Sequence, residues 1–404
     1  MKYKIEVLTT RQQMDQLRDE WEHLERETIH RDFYLTFEWF YAVVSLGQAL
    51  PGELRIFTIR SGEQIQAVVP CILVKKKLRF SKVRSLELLG NIYSPKRAAV
   101  VLAGQEDKLS RCFFQFLNGK YSNEWDIIDF LDLSPHDQFV AGFFEKAQEA
   151  GLRPVRQNLF SNLVTDWSSV SSANEFCSLL SKNMRQNIRT SINKHNRNGK
   201  IALWLVQDPK QDISTAVTSY YDVYQKSWKK TESDPEFHGQ LARKLIAYQK
   251  LRLFFLYYQS NQGTADNCRK SAVSSLNSEY FSTSKKPPED FYPIAALYCI
   301  VHNQIAYSMK VCYDQKYSDL SPGTALHWFA MKHLIDVDKC SRFDHQKGNE
   351  AYKFKWIGQP VEVRFRLRTV NPFALTARLE FWFTALLKQL YHKQPKYRDR
   401  ELIS

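Results

Sequence analysis

The spacing of apolar positions changes along this chain, and each change marks an element. Near the start KIEVL reads as a short strand, after which Met14, Leu17, Trp21 and Leu24 recur at helical spacing. A second helical piece covers 37–46. LRIFTIR and QAVVPCILVKKK flank Ser61-Gly62, a turn signal, and read as a hairpin. WDIIDFLDL (125–133) predicts another strand, and 139–150 a helix that stops at Gly151. To about residue 165 this makes a mixed α/β unit with antiparallel hairpins and few helices.

From Ala173 the order begins again. A helix leads into IALWLVQ (201–207, a strand), and helices over 213–229 and 237–249 precede the strand LRLFFLYYQ (251–259). PIAALYCIVHNQIAYSMKVCYD supplies two strands around His302-Asn303-Gln304. SPGTALHWFAMKHLID follows as a helix, CSRFDHQ as a strand and VEVRFRLRTV as a closing strand. The similar order of the halves predicts two copies of one α/β (α+β) architecture, with domains at 1–165 and 166–370. Residues 260–290 are rich in Ser, Asn, Lys and Pro and read either as a mobile insert or as a lid over a cleft. The remaining 371–404 starts at Asn-Pro, is helical through about Tyr391, and carries Leu375, Leu379, Phe383, Leu386 and Leu387 on one stripe ahead of a basic tail. Docking on the core is one reading of that helix; contact with anionic lipid is the other.

Composition narrows the partners. At 44% hydrophobic and 14% aromatic, the 404 residues can bury cores, which excludes global disorder. The formal charge of +14 favours an anionic partner: nucleic acid, a phosphorylated small molecule or an acidic membrane face. Cations concentrate in KKKLRFSKVR (75–84), in 182–200 and in 364–378. Seven scattered cysteines without a C-x-x-C pair predict reduced thiols in a cytoplasm. His302, His327, His333 and His345 lack ligand spacing, so no metal is expected, and neither a P-loop nor a dinucleotide fingerprint occurs. The N-terminus lacks an apolar leader core and no window approaches the roughly 18 apolar residues of a spanning helix. The expectation is a soluble cytoplasmic protein that touches at most the inner face of a membrane.

Three segments hold candidate chemistry. On a helix over 181–200, Met184, Ile188 and Ile192 form an apolar stripe while Lys182, Arg185, Arg189 and Asn193 lie on a separate face. That face is either plainly solvated or a grip on phosphate, for which arginine's fork is suited. In YDQKYSDLSPGTALHWFAMKHLI a strand ends at Tyr313-Asp314, and Ser321, Pro322, Gly323 and Thr324 open a helix. Exposed amides at such a start, with about half a unit of positive charge, attract anions; the same letters also serve as an ordinary cap. In FDHQKGNEAYKFKW (343–356), Asp344 lies near a strand end and Gly348 permits a turn. As an extended chain, Glu350 and Tyr352 share one face, with Lys353 and Lys355 on the other. An acid there suits a general base, tyrosine a general acid, and lysine an anionic substrate; mutual pairing of Asp344 and Glu350 with Lys353 and Arg342 is the bland alternative.

Together these blocks resemble the CelD-type acetyltransferases of the GNAT superfamily, which are tied to cellulose and exopolysaccharide synthesis and related to FemAB-type aminoacyltransferases. Ser181, Lys182, Asn183, Arg185, Asn187 and Arg189 match its S-K-N-x-R-x-N-x-R block. Tyr313 and Asp314, then Ser321, Pro322 and Gly323, match the second block; Phe343, Asp344, Gly348, Glu350, Tyr352, Lys353 and Trp356 match the third. His345 replaces the usual aromatic, and the 260–290 insert is longer than the family pattern.

The resemblance implies tandem GNAT-like domains, mixed sheets flanked by helices, and transfer of an acyl group from acetyl-CoA or another acyl-CoA to an amine or hydroxyl of a saccharide. It places catalysis on Asp344, Glu350, Tyr352 and Lys353, with Asp344 or Glu350 as base. The donor falls to Lys182, Asn183, Arg185, Arg189, Ser321, Gly323 and Thr324. Tyr313, Asp314, His345, Lys355 and Trp356 are left for the acceptor. A Fem-like transferase drawing on aminoacyl-tRNA, or a binding protein that kept the fold, are the alternatives.

Overall fold

The structure is a computed structural model that describes residues 3–29, 31–46, 49–79, 81–231, 234, 236–260, 281–348, 350–356 and 362–379. The chain divides into two compact units. One comprises Met1–Ser45, Ala49–Leu159 and Val363–Ser404; the other comprises Leu46–Gln48 and Phe160–Glu362.

The first unit opens with β1 (Tyr3–Leu8), α1 (Arg11–Gln16), α2 (Arg18–Glu27) and α3 (Phe37–Ser45). The hairpin strands β2 (Glu53–Ser61) and β3 (Gln64–Lys77) follow, then β4 (Lys82–Leu88) and the two-residue β5 (Val100–Val101). Next come α4 (Glu106–Asn118), β6 (Ile127–Leu133) and α5 (Gln138–Glu149). The chain then passes into the second unit within β7 (Val155–Asp166). There α6 (Ala173–Leu179), α7 (Lys182–Asn198), β8 (Gly199–Val206), α8 (Ile213–Gln225), α9 (Phe237–Leu245) and β9 (Leu251–Ser260) follow. After them come β10 (Tyr292–His302), β11 (Ile305–Tyr313), α10 (Pro322–Asp336), β12 (Arg342–Lys347) and α11 (Ala351–Trp356). The last strand, β13 (Glu362–Val370), carries the chain back.

Each unit builds its sheet by the same rule. In the first the order is β1-β2-β3-β4-β6-β13, all neighbours antiparallel except β4 and β6, and β5 is an extra partner of β3. In the second it is β8-β9-β10-β11-β12-β7, all antiparallel except β11 and β12. The repeated order matches the expected duplicated architecture. The closing strand departs from expectation: β13 pairs with β6 and so belongs with the first unit, not with the second.

Central strands read as unbroken apolar runs because both faces are covered. Ten successive residues of β3, from Ile65 to Val74, are buried. Helices seal the faces with single stripes; in α7 these are Met184, Ile188, Ser191 and His195, at helical spacing. Phe176, Met184, Leu203, Phe254, Leu297 and Leu326 anchor the second unit's core, and full burial of each such side chain is worth about 1.5–3 kcal/mol.

The insert is shorter than 260–290 implies. Residues 261–280 lie outside the described residues, but 281–290 are held in place. Ser282 bridges in parallel to Trp204 on β8, and its amide and carbonyl bond to Leu203 and Leu205. The carbonyl of Ser284 accepts from the Trp204 indole and from Gln211. This segment therefore satisfies backbone groups along the outer edge of β8. The proposed helix of 371–404 is described only through Leu379, and 380–404 lie outside the described residues. Among the described residues no helix is long and apolar enough to cross a membrane, and six cysteines are free thiols.

Candidate active site

The second unit's parallel pair, β11 and β12, stays in register only over 305–307 against 342–344. Beyond that point β11 continues to Tyr313 without β12 as a partner. A cavity of about 390 Å³ lies where Val311 and Tyr313 of β11 meet the starts of α10 and α11.

The start of α10 is built to leave backbone groups open. Ser321 occupies the N-cap position in the left-handed region (φ 54°) and makes no side-chain cap, which corrects the expectation of an ordinary serine cap. Pro322 has no amide hydrogen to satisfy, while the Thr324 amide returns to the Ser321 carbonyl at 3.0 Å. Ser191 of α7 donates its hydroxyl proton towards the Leu320 and Ser321 carbonyls, at 3.0 and 2.9 Å, fixing the bend. Ser321, Gly323 and Thr324 all line the cavity, and no acid sits in this first turn. Gly323 thus meets the cavity at the positive end of a fifteen-residue helix.

Opposite, the polar turn after β12 is not extended. Residues 351–356 form α11, so the expected alternation of Glu350 and Tyr352 against Lys353 and Lys355 is replaced by helical neighbours. Glu350, Tyr352, Lys355 and Trp356 face the cavity, and Lys353 points inward, 4% exposed. The Lys353 ammonium lies 2.8 Å from Glu350 Oε2 and also donates to the Lys347 carbonyl. It therefore holds Glu350 in place and is not free to neutralise a substrate. Gly348 suits this turn because its φ of 111° is a conformation that L side chains rarely adopt, and a Cβ there would also displace the Glu350 carboxylate, 2.4 Å away at Oε2. Burial alone would raise the Glu350 pKa, but the bond and charge of Lys353 hold the carboxyl below its usual range. Burial, aided by the Glu350 charge, drives the Tyr352 phenol well up, so it stays protonated.

Asp344 does not line the cavity. Its carboxylate accepts from Asn162 Nδ2 at 3.0 and 3.1 Å and from the Gln346 amide at 2.8 Å, tying β12 to β7. A buried carboxylate consumed in this way is a structural anchor; of the two expected bases only Glu350 reaches the cavity. His345 is likewise internal, 3% exposed. The Thr165 hydroxyl donates its one proton to the Trp356 carbonyl at 3.1 Å, so it accepts from His345 Nε2–H at 3.0 Å. Burial keeps that imidazole neutral, its pKa well below the usual value.

The cationic face of α7 also turns out differently. Lys182, Asn183 and Arg189 are exposed, and the cavity takes Met184 and Asn187 from this helix instead. Arg185 donates to the carbonyls of Ser178 and Leu180, capping the end of α6. Asp314 caps the 3₁₀ turn Gln315–Leu320 through the Lys316 amide at 2.9 Å and is absent from the cavity wall. Tyr313, Lys355 and Trp356, by contrast, do line it.

Sequence reasoning missed two groups. Trp228, from the loop after α8, is 48% exposed and meets Tyr313 with ring centroids 4.5 Å apart, forming an open aromatic wall. His327 lines the cavity at 2% exposure, and its Nε2 makes no hydrogen bond among the described residues. It stacks on Trp356 with centroids 5.5 Å apart. Burial, reinforced by the Lys353 charge, pushes its pKa down to about 4, so it is neutral at physiological pH. One turn after Gly323 on α10, His327 stands between Leu326 and Trp328 in an apolar stretch, where its sequence position reads as core. Beside Trp228, burial, with the nearby Lys310 charge, lowers the Lys229 pKa to about 8.

Known proteins bear on this geometry. Residues 290–354, which span β10 to the start of α11, match the family model described as acetyltransferase (GNAT) domain. No curated protein matches the chain. Among solved structures, FemX is similar with a TM-score of 0.59 at 9% identity, over 94% of this chain and 100% of that one. A conserved protein of unknown function from Bacteroides thetaiotaomicron is similar at 0.53 and 10% identity, over 91% and 100% of the two chains. The C-terminal domain of a putative lysylphosphatidylglycerol synthetase from Agrobacterium fabrum is similar at 0.50 and 13%, over 93% and 97%. At these identities the likeness is one of fold. The second unit thus carries a GNAT acetyltransferase domain, and the chain is an acyltransferase of that type.

Proposed function

We propose that the chain transfers an acyl group from an acyl-CoA to an amine or hydroxyl of a saccharide, as CelD-type enzymes do. The observation that carries this reading is one cavity shared by an uncharged helix start at Gly323 and a carboxylate–phenol pair at Glu350 and Tyr352. The donor's anionic part fits the Gly323 and Thr324 end, where the helix dipole favours negative charge. An acyl thioester supplies the acyl group and a thiolate leaving group. Glu350, held ionised by Lys353, is placed to receive the proton of the attacking amine or hydroxyl. Tyr352 remains a proton donor. Trp228 and Tyr313 present an aromatic face of the kind that packs against a sugar ring, and Asn187 and Lys355 border the same space as polar contacts. Holding both reactants in one hollow supplies proximity without a covalent enzyme intermediate.

Incubating the protein with radiolabelled acetyl-CoA and a panel of amino sugars and polysaccharides tests this reading. Label transferred to a saccharide with release of CoA is expected. A second reading, with a tRNA-borne aminoacyl donor, is favoured by the net charge of +14. It predicts transfer from aminoacyl-tRNA alone and an affinity that falls with salt, with a log slope of about −0.7 to −0.9 per phosphate contacted.

A further inference from the structure

We propose that the first unit carries a docking surface for an anionic lipid bilayer, formed by 373–379 together with the β3–β4 hairpin. This surface is independent of the cavity in the second unit.

The helical turn that follows β13 is seated through small residues on the turn end of the hairpin, at Leu78 and Val83. Ala377 is fully buried against Val83 and Ile127, with Ala374, Leu78 and Val370 packed around them. With its small residues turned inward, the turn presents its large ones outward. Phe373, Leu375 and Leu379 are 69%, 68% and 67% exposed. Leu375 and Leu379 stand one turn apart on the same face. Three bulky apolar side chains clustered at such exposure mark a surface that something covers.

The hairpin beneath supplies the charge. KKKLRFSKVR (75–84) has six cations and no acid. Lys76 and Arg84 are occupied by Glu87, Asp129 and Asp126. Lys77 and Lys82 have no such partner among the described residues: both are exposed, and the register sets them directly opposite each other. Like charges in that position destabilise a hairpin, so no contact among the described residues explains the pair. Exposed Arg79 and Arg378 add to the same cationic margin, and the residues 371–379 contain no acid.

An apolar patch bordered by cations matches a bilayer whose surface carries anionic headgroups: the leucines and Phe373 enter the interfacial layer while Lys77 and Lys82 meet phosphate. A nucleic acid would satisfy the cations and leave three large apolar groups in water. A second copy of this chain would oppose like charge to like.

Co-sedimentation of the full chain with vesicles distinguishes these. Binding to phosphatidylcholine–phosphatidylglycerol vesicles about tenfold tighter than to phosphatidylcholine alone, and weakening with salt, is expected. Leu375→Asp with Leu379→Asp lowers it at least about tenfold, with acyl transfer in solution unchanged. Lys77→Glu with Lys82→Glu, which leaves the apolar turn intact, abolishes the preference for anionic lipid while residual binding to neutral vesicles persists. Wild-type binding that is equal on both vesicles, or undiminished in both double variants, overturns the proposal. So does a dimer that Leu375→Asp converts to monomer, or binding that RNA displaces as readily as anionic vesicles.

Discussion

The two units share one strand order and differ at one helix start. In each, a helix connects the two strands that run parallel: α4 in the first unit and α10 in the second. The first turn of α4 carries Glu106 and Asp107, so its own carboxylates answer the positive end of the helix. The first turn of α10 has Pro322, Gly323 and Thr324 and no acid, so that end stays available to a ligand. The strand that follows each helix repeats the contrast. Asp129 of β6 is fully buried and clamped by Arg366, Arg368 and Lys76; the turn after β12 delivers Glu350 to a cavity. On the function proposed above, one frame serves a structural and a chemical unit, and the charge at the helix mouth distinguishes them.

The largest effect that would break this contrast is at Glu350. Glu350→Gln, which keeps the shape and an acceptor for Lys353, is expected to lower kcat about 10²- to 10⁴-fold, the range for loss of a general base. Its melting temperature should stay near that of the wild type, and steady-state turnover with a thermal melt checks both. The mirror experiment is Asp129→Ala in the first unit. Removing the carboxylate that these half-buried cations share is expected to cost about 1–3 kcal/mol in denaturant unfolding, with turnover per folded molecule unchanged. Asp344→Asn should behave like Asp129→Ala, because it disturbs the bonds to Asn162 and Gln346 and leaves the cavity wall alone.

Acidification sharpens the comparison. The folded-state pKa of His327 is depressed to about 4, so the unfolded chain binds more protons than the folded one below pH 6.5. Stability from this group is therefore complete above about pH 6.5 and is lost as pH falls towards 4, by about 3 kcal/mol in all. In His327→Gln that part of the acid dependence should vanish from urea unfolding measured across the window. The smallest effect expected is at Gly323. A Cβ there would come within 3.1 Å of the Tyr313 ring, so Gly323→Ala should raise KM for the acyl donor about tenfold with kcat little altered, through crowding of the helix start.

Much of the frame was legible because burial on both faces writes itself as long apolar runs. QAVVPCILVKKK, LRLFFLYYQ and PIAALYCIVH correspond to β3, β9 and β10 within a residue or two. The strand β4 and the helix α4 were harder, since SKVRSLELL mixes cations with its apolar positions and EDKLSRCFFQFLN shows its stripe only once its ends are known. Positions near the site were legible as letters and not as roles. Lys353 and Glu350 are three apart, which becomes a contact only if the segment is helical, and the six-residue α11 is too short to announce itself by period. Asp344 matched a site pattern, yet its partner Asn162 is 182 residues away, a separation no local reading spans. Trp228 and His327 were hidden for the opposite reason: each looks like ordinary core until the fold leaves one side open.

The crossing of β7 and β13 bears on how the gene can be cut. Residues 1–165 keep β4 beside β6 but lack the strand on its other side, because that partner arrives from 362–370. Dividing the coding sequence at the boundary between its repeats would therefore yield a half whose outermost ladder is bare, a sticky fragment prone to aggregate unless the missing piece is supplied in trans.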